Sequence, residues 1–457
     1  MSNEKVKGSV DLLHGPILKN LIIFMIPIFI SNCFQQLYNA VDTALVGNIL
    51  GENSLAAVGA TASIFELLVG FSMSLSSGFS IVIARAFGSG DSHRMKKAVA
   101  GSIVIGIFTT LLLTIISIFA LKPLLVLIDT PQEIMNEALA YINVIGYFVF
   151  VMFAYNLCSG ILRSIGNSVM PLVFLIFSSL LNIFLDYAFM AWFNMGVAGA
   201  AIATVLSQGI SAVLCVIYMV TGVKEVIPER SDFAWDSELM KDLAGQGYAM
   251  AIMGSIVSIG SIILQSGING LGTKIIAGHV AARKVYAVMN LPFISMGVAI
   301  STFIGQNKGN NQGARILRAM KDAYLFDVVF AGVCTLILAF SAPTLVHLIS
   351  GSTNETILSN GSRFLYVVGP FYSVLGMLMQ TRFALQGLGS KILPLFSSVI
   401  ECVGKILFTF FLIPIFQYEA VIWCEPIIWC LMLIELLISF HCNDYVKQVK
   451  AELKNNQ

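Results

Sequence analysis

Long apolar runs separated by short polar turns dominate the chain. Crossing about 30 Å of hydrocarbon takes roughly 20 apolar residues in a helix. Breaks at charged residues and at Gly, Pro and Asn divide the sequence into about twelve such runs: 17–47, 54–84, 97–121, 133–160, 168–191, 197–221, 243–268, 276–305, 319–345, 362–387, 392–415 and 419–442. The only long polar connector is VKEVIPERSDFAWDSELMKD. The pattern thus predicts an N-terminal six-helix lobe over 1–222, a linker over 223–242 ending in a short surface helix, and a C-terminal six-helix lobe over 243–457.

The two halves resemble each other. LGENSLAAVGATASI at 50–64 answers LGTKIIAGHVAARKV at 271–285, and RSIGNSVMPL at 163–172 answers LQGLGSKILPL at 385–395. Gly88 answers Gly309 in the same way. The offset is about 221–223 residues throughout, the mark of an internal duplication. Six spans per half return the chain to its starting side, so the repeat is parallel, with a pseudo-twofold axis along the membrane normal. Two bundles around a central cavity form the architecture of an alternating-access transporter.

Lys and Arg orient the spans. They cluster in the tail (Lys5, Lys7), in the turn at 85–97, in the 222–242 linker and in the turn at 306–321, with Lys447, Lys450 and Lys454 at the end. The opposite loops hold little beyond Lys122, Lys274 and Arg363. Both termini are therefore expected in the cytoplasm of a multi-pass cell-membrane protein. The charged start, MSNEKVKGSVDLLHG, lacks the pattern of a signal peptide, so the first run is expected to remain a span.

Composition agrees with this picture and narrows it. Of 457 residues, 57% are hydrophobic and only 11% charged, with mean hydropathy +0.86. Soluble chains carry about 25% charged residues, so a water-facing surface of this size cannot be covered. The net charge of +1 leaves no basic excess for nucleic acid. The eight cysteines are scattered and read as small buried hydrophobes. No phosphate-binding loop, hydrolase or metalloprotease motif is present. The chain is expected to be no enzyme, to carry no cofactor, and to draw its energy from an ion gradient.

Charges inside spans cost at least about 2.5–3.5 kcal/mol each. Asp42 stands in QQLYNAVDTALVG, with Gln35, Tyr38 and Asn39 preceding it on one helix face. Asp186 stands in LLNIFLDYAFM with Asn182 one turn earlier, and Thr204 follows in the next span. At 1.5 Å per residue, Asp42, Asp186 and Thr204 fall at similar depth in the first bundle. Two carboxylates, an amide and a hydroxyl suit a hard monovalent cation, or the two acids could share a proton. The answering positions in the second half, about Ile263 and Thr409, carry no acid. The ion site is therefore expected in the first lobe. Glu401 and Lys405 are spaced to pair on one helix face. Arg382 is expected to snorkel from near a span end. Glu66 is expected to pack near a partner, and Asp327, Glu425 and Glu435 read as single carboxylates. His279 and His347 lack a second ligand at helical spacing, so no metal other than Na⁺ is expected.

PIFISNCFQQLYNAVDTALVGNILGENSLAAVG and NIFLDYAFMAWFNMGVAGAAIATVLSQG resemble signatures of the multidrug and toxic compound extrusion (MATE) family, a likeness covering 12–445. It implies a two-lobed exporter of organic, often cationic and aromatic, compounds in exchange for Na⁺ or H⁺. The family's first-lobe cation site falls on Asp42, Asn182, Asp186 and Thr204. Gln35 and Asn156 match polar cavity positions, which with Tyr38 and Asn39 form the expected substrate cavity. The seventh span reads SIILQSGINGLG, without the acid of some branches, so the resemblance implies coupling in the first lobe. The chain is expected to act as a monomer on small molecules. The other readings are a lipid-linked saccharide flippase, which would need a strongly basic cavity, and an ion channel.

Overall fold

The computed structural model describes residues 8–455, and these are helical almost throughout. The long helices are α1 (Ile17–Leu50), α2 (Glu52–Gly88), α3 (Ser92–Leu127), α6 (Val169–Tyr187), α7 (Gly196–Gly222), α8 (Ser237–Asn269), α9 (Thr273–Gly309), α10 (Gly313–Ser350) and α15 (Tyr418–Cys442). Shorter pieces complete the set: α4 (Gln132–Tyr147), α5 (Val149–Ser164), α11 (Glu355–Val368), α12 (Tyr372–Gly387), α13 (Leu393–Leu407), α14 (Ile413–Phe416) and α16 (Asp444–Asn455). Among the described residues, 11 stretches are long and apolar enough to cross a membrane. The pair α4 and α5, bent by 48° at Phe148, brings the count to twelve. Pro370 sits in the 3-10 turn Gly369–Phe371 between α11 and α12. Phe108, Phe119 and Phe340 are 67%, 74% and 87% exposed on α3 and α10. Apolar faces of that kind belong against lipid, since water tolerates them poorly.

Helix ends follow local chemistry. Asp91 caps α3 by accepting from the Arg94 N–H at 2.9 Å, and Asn354 caps α11 through the Thr356 N–H. Left-handed backbone recurs at Gly51 and Gly272, Gly90 and Asn311, Asp129 and Gly351, Gly166 and Gly389, and Asn194 and Gln417. Each pair is separated by the offset of the sequence repeat, so both halves turn at the same places. Both halves also carry a five-residue π-helical turn, Ala188–Trp192 after α6 and Phe408–Leu412 after α13.

The described residues divide into two compact units, one of 8–11 and 26–251 and the other of 12–25 and 252–455. This differs from a division at the linker. The linker itself forms two 3-10 turns, Lys224–Val226 and Arg230–Phe233, and its expected surface helix is instead the start of α8. Residues 237–251 of α8 pack on the first unit. There Gly78 and Gly247 bring two backbones together, Leu243 and Met240 cover Gly101, and Arg85 Nη2 meets Asp242 Oδ2 at 2.9 Å. Residues 12–25 pack on the second unit, where Asn307 Nδ2 donates to the Leu12 carbonyl at 3.1 Å and Arg315 Nη1 to that of Gly15 at 3.0 Å.

In the first unit α2 lies along α5, with Phe79 edge-on to Phe153 and the Phe153 ring seated against Gly106. A second cluster joins α2, α4 and α7 through Leu68, Ile142, Ile145, Ala201 and Val205. In the second unit α9 is the central helix, packed by α10, α11 and α12.

Candidate functional site

Asp186 lies near the end of α6, just before the π-turn, and its side chain is fully buried. A π-turn inserts one residue into the helical ladder and is common at functional positions. The Asp42 carboxyl on α1 stands within hydrogen-bonding reach of that of Asp186. Asp42 Oδ1 and both Asp186 oxygens have no hydrogen-bond donor in the structure. Ionised carboxylates only accept hydrogen bonds, so two of them side by side repel unless a proton or a cation lies between them. The pair thus creates a demand for positive charge that no Lys or Arg of the described residues is shown to meet.

Asn182 stands one turn before Asp186 on the same face, 2% exposed, with both amide atoms buried and unpartnered. An unpaired buried polar group costs about 1–3 kcal/mol. Its carbonyl oxygen adds a neutral donor suited to a hard cation. Thr204 is buried on α7, which packs along α6, and its hydroxyl donates to the Ala200 carbonyl at 3.1 Å. The hydroxyl oxygen keeps its lone pairs for another partner.

The stripe on α1 divides. Tyr38 is half-buried, and its hydroxyl reaches the side chains of Gln35 and Gln208 in the field of both acids. Asn39, its neighbour along the chain, is exposed. The cause is angular, since a residue one position along the helix points about 100° away. Asn156 is half-buried and donates to the Met152 carbonyl of its own helix at 2.8 Å. Gln208 and Tyr141 are additions that the sequence reading did not include. Gln208 lies one turn beyond Thr204, a spacing that could have marked it. Tyr141, buried on α4 near Asp42 and Asp186, gave no signal in its apolar run.

The other charges depart from expectation in several places. Glu66 is exposed rather than packed near a partner. Arg382 does not snorkel: it is 7% exposed, donates from Nε to Ser397 Oγ at 3.0 Å, and brings Nη2 to 3.7 Å from Glu401. Glu401 also receives Lys405 Nζ at 2.8 Å, the expected pair with a second cation added. Glu425 is not single, because Arg283 Nη1 meets its Oε1 at 2.6 Å. Asp327, fully buried, accepts from Gln380 Nε2 at 3.1 Å. His279 Nδ1 lies 3.2 Å from the Tyr418 hydroxyl.

Comparison with known proteins adds a family. The MatE family model matches residues 27–188 and again 249–411, once in each half. The probable multidrug resistance protein YpnP of Bacillus subtilis is 27% identical over 308 residues, covering 67% of this chain and 68% of its own. The probable multidrug resistance protein NorM of Thermotoga maritima is 24% identical over 403 residues, 84% of this chain and 83% of its own. The multidrug export protein MepA of Staphylococcus saprophyticus is 22% identical over 96% of each chain. Among solved structures, an outward-facing multidrug resistance MATE family transporter superposes with TM-score 0.88 at 23% identity, covering 98% of this chain and 100% of that one. A MATE in complex with MaL6 does so with TM-score 0.88 at 24% identity, over 98% of this chain and 100% of that one. With 11 apolar spans among the described residues, twelve with the bent pair, and the family pattern present in both halves, the chain belongs to the MatE family of multi-pass membrane transporters and is not an enzyme.

Proposed function

We propose that this protein exports small organic compounds, often cationic and aromatic, in exchange for Na⁺ or H⁺ bound in the first unit. The observation that carries the reading is the half-buried Asp42 facing the fully buried Asp186, with Asp42 Oδ1 and both Asp186 oxygens lacking a donor. Asn182 and Thr204 complete the proposed cation site. Tyr38, Gln35, Asn39 and Asn156 are proposed to meet the substrate. The relatives' printed names, multidrug resistance and export proteins, support the substrate class.

The exchange follows from competition for one stretch of helix. A cation or proton between Asp42 and Asp186 draws α1 towards α6, and release lets the two acids repel. Tyr38 lies one turn from Asp42 on α1, so a shift of that turn alters the surface offered to a compound. Binding of ion and compound is then mutually unfavourable, which is the coupling an exchanger needs. The test is efflux of a fluorescent cationic dye from proteoliposomes, with Na⁺ and pH gradients imposed separately. One of the two gradients should drive dye movement in the wild type, and Asp42→Asn should abolish the drive. Normal gradient-driven efflux by Asp42→Asn would remove the first-unit acids from the mechanism.

A further inference from the structure

The second unit repeats the frame of the first with different charges on it. By the repeat offset, Ile263 answers Asp42 and Thr409 answers Asp186. These two also meet, since Thr409 Oγ1 donates to the Ile263 carbonyl at 3.5 Å. The acids are gone, and one turn before Thr409, where Asn182 stands in the first unit, the chain places Lys405. Its side chain is 5% exposed, and the ammonium donates to Glu401 Oε1 at 2.8 Å and Ser261 Oγ at 3.0 Å.

Beside Lys405 lies a cavity of about 90 Å³, lined by Ser261, Gln265, Arg283, Lys405 and Glu425, with Phe364 on an apolar wall. Arg283 gives Nη1 to Glu425, lies over the Tyr286 ring at 4.5 Å, and keeps a side chain 36% exposed. No other acceptor among the described residues takes its remaining N–H groups. Tyr286 in turn stacks on Trp429, with centroids 6.0 Å apart. Ion pairs kept for packing alone need no opening beside them, and charged side chains in a membrane are retained at a cost. Here the two cations line a cavity, while Glu401, which counters Lys405, is not among its lining residues.

We propose that this cavity receives the carboxylate of a small organic anion. The free edge of Arg283 grips it as a fork, Lys405 supplies the second charge, and the hydrocarbon part lies against Phe364. A planar guanidinium matches a carboxylate through two parallel hydrogen bonds, which a spherical ion cannot use. The site is separate from the Asp42 and Asp186 pair and does not depend on its role.

The experiment is calorimetric titration of the purified full chain with sodium benzoate, followed in parallel by tryptophan fluorescence, because Trp429 stacks beneath the Arg283 platform. Benzoate should bind saturably. Affinity should fall at least about tenfold in the double variant Arg283→Gln/Glu425→Gln, which removes the guanidinium without stranding its acid. It should fall likewise in Gln265→Phe, which fills the cavity without touching an ion pair. Asp186→Asn should bind benzoate as the wild type does, and sodium chloride alone should give no comparable signal. Absence of saturable benzoate binding, unchanged binding in both cavity variants, or chloride binding as tightly as benzoate would each overturn the proposal.

Discussion

Asp186→Asn is the sharpest perturbation of the proposed exchange. The side chain is fully buried, and neither carboxyl oxygen accepts a hydrogen bond from another group. The amide has nearly the same shape, so the change opens no cavity and breaks no bond to a donor. Stability should hold or rise, because the change removes one of two facing carboxyls that repel when both are ionised and gives the other a potential amide donor. Transport should respond quite differently. One monovalent cation crossing 100 mV releases about 2.3 kcal/mol. At about 1.4 kcal/mol per tenfold, that sustains a gradient of roughly 50-fold for an uncharged probe. Proteoliposomes holding a potential of about 100 mV should therefore concentrate such a probe towards that ratio with the wild type. With Asp186→Asn the ratio should collapse to about one, because Asn keeps no site for the driving charge, while exchange down the probe's own gradient continues. A variant that held the wild-type gradient would refute the reasoning, since Asp42 alone would then be sufficient.

Other outcomes follow from packing. Gly78→Val drives a side chain into the Gly247 backbone and should cost about 1–3 kcal/mol, seen as a lower Tm, whereas Gly59→Ala meets nothing and should leave Tm near its wild-type value. Arg283→Gln strands Glu425 and should destabilise by about 3–5 kcal/mol, with most of the loss recovered when Glu425→Gln is added, as unfolding midpoints in denaturant would record. Asn307→Ala removes donations to the Leu12 and Phe303 carbonyls and the acceptor for Arg315 Nε. Limited proteolysis should then cut faster within residues 12–25, and an unchanged cutting rate would mean that this anchor is not needed.

Local pattern carries the helices because a span is a property of one stretch of chain. Length and apolarity fix it, and Gly51, Gly166 and their counterparts announce the turns between spans. Asp42 and Asp186 stood out for the same reason, as single acids in lipid-length runs. Partnerships between distant helices were harder to read. Arg283 lay unremarked inside an apolar run because its acid, Glu425, is far along the chain. Arg382 sits near the turn at Gly389, which suggested water, yet the fold returns Glu401 to it. The boundary of the units was also hidden, because Gly78 and Gly247 look ordinary until two backbones touch.

Both α1 and α8 begin in one unit and end in the other. A gene fragment stopping within the polar stretch after α7 would yield a first half without the stub that closes its Gly78 seam. The remaining fragment would lack the N-terminal strap held by Asn307 and Arg315. Neither half is thus a self-sufficient building block, and any experiment that makes them separately must move the cut into the middle of a helix or supply the missing piece as a peptide.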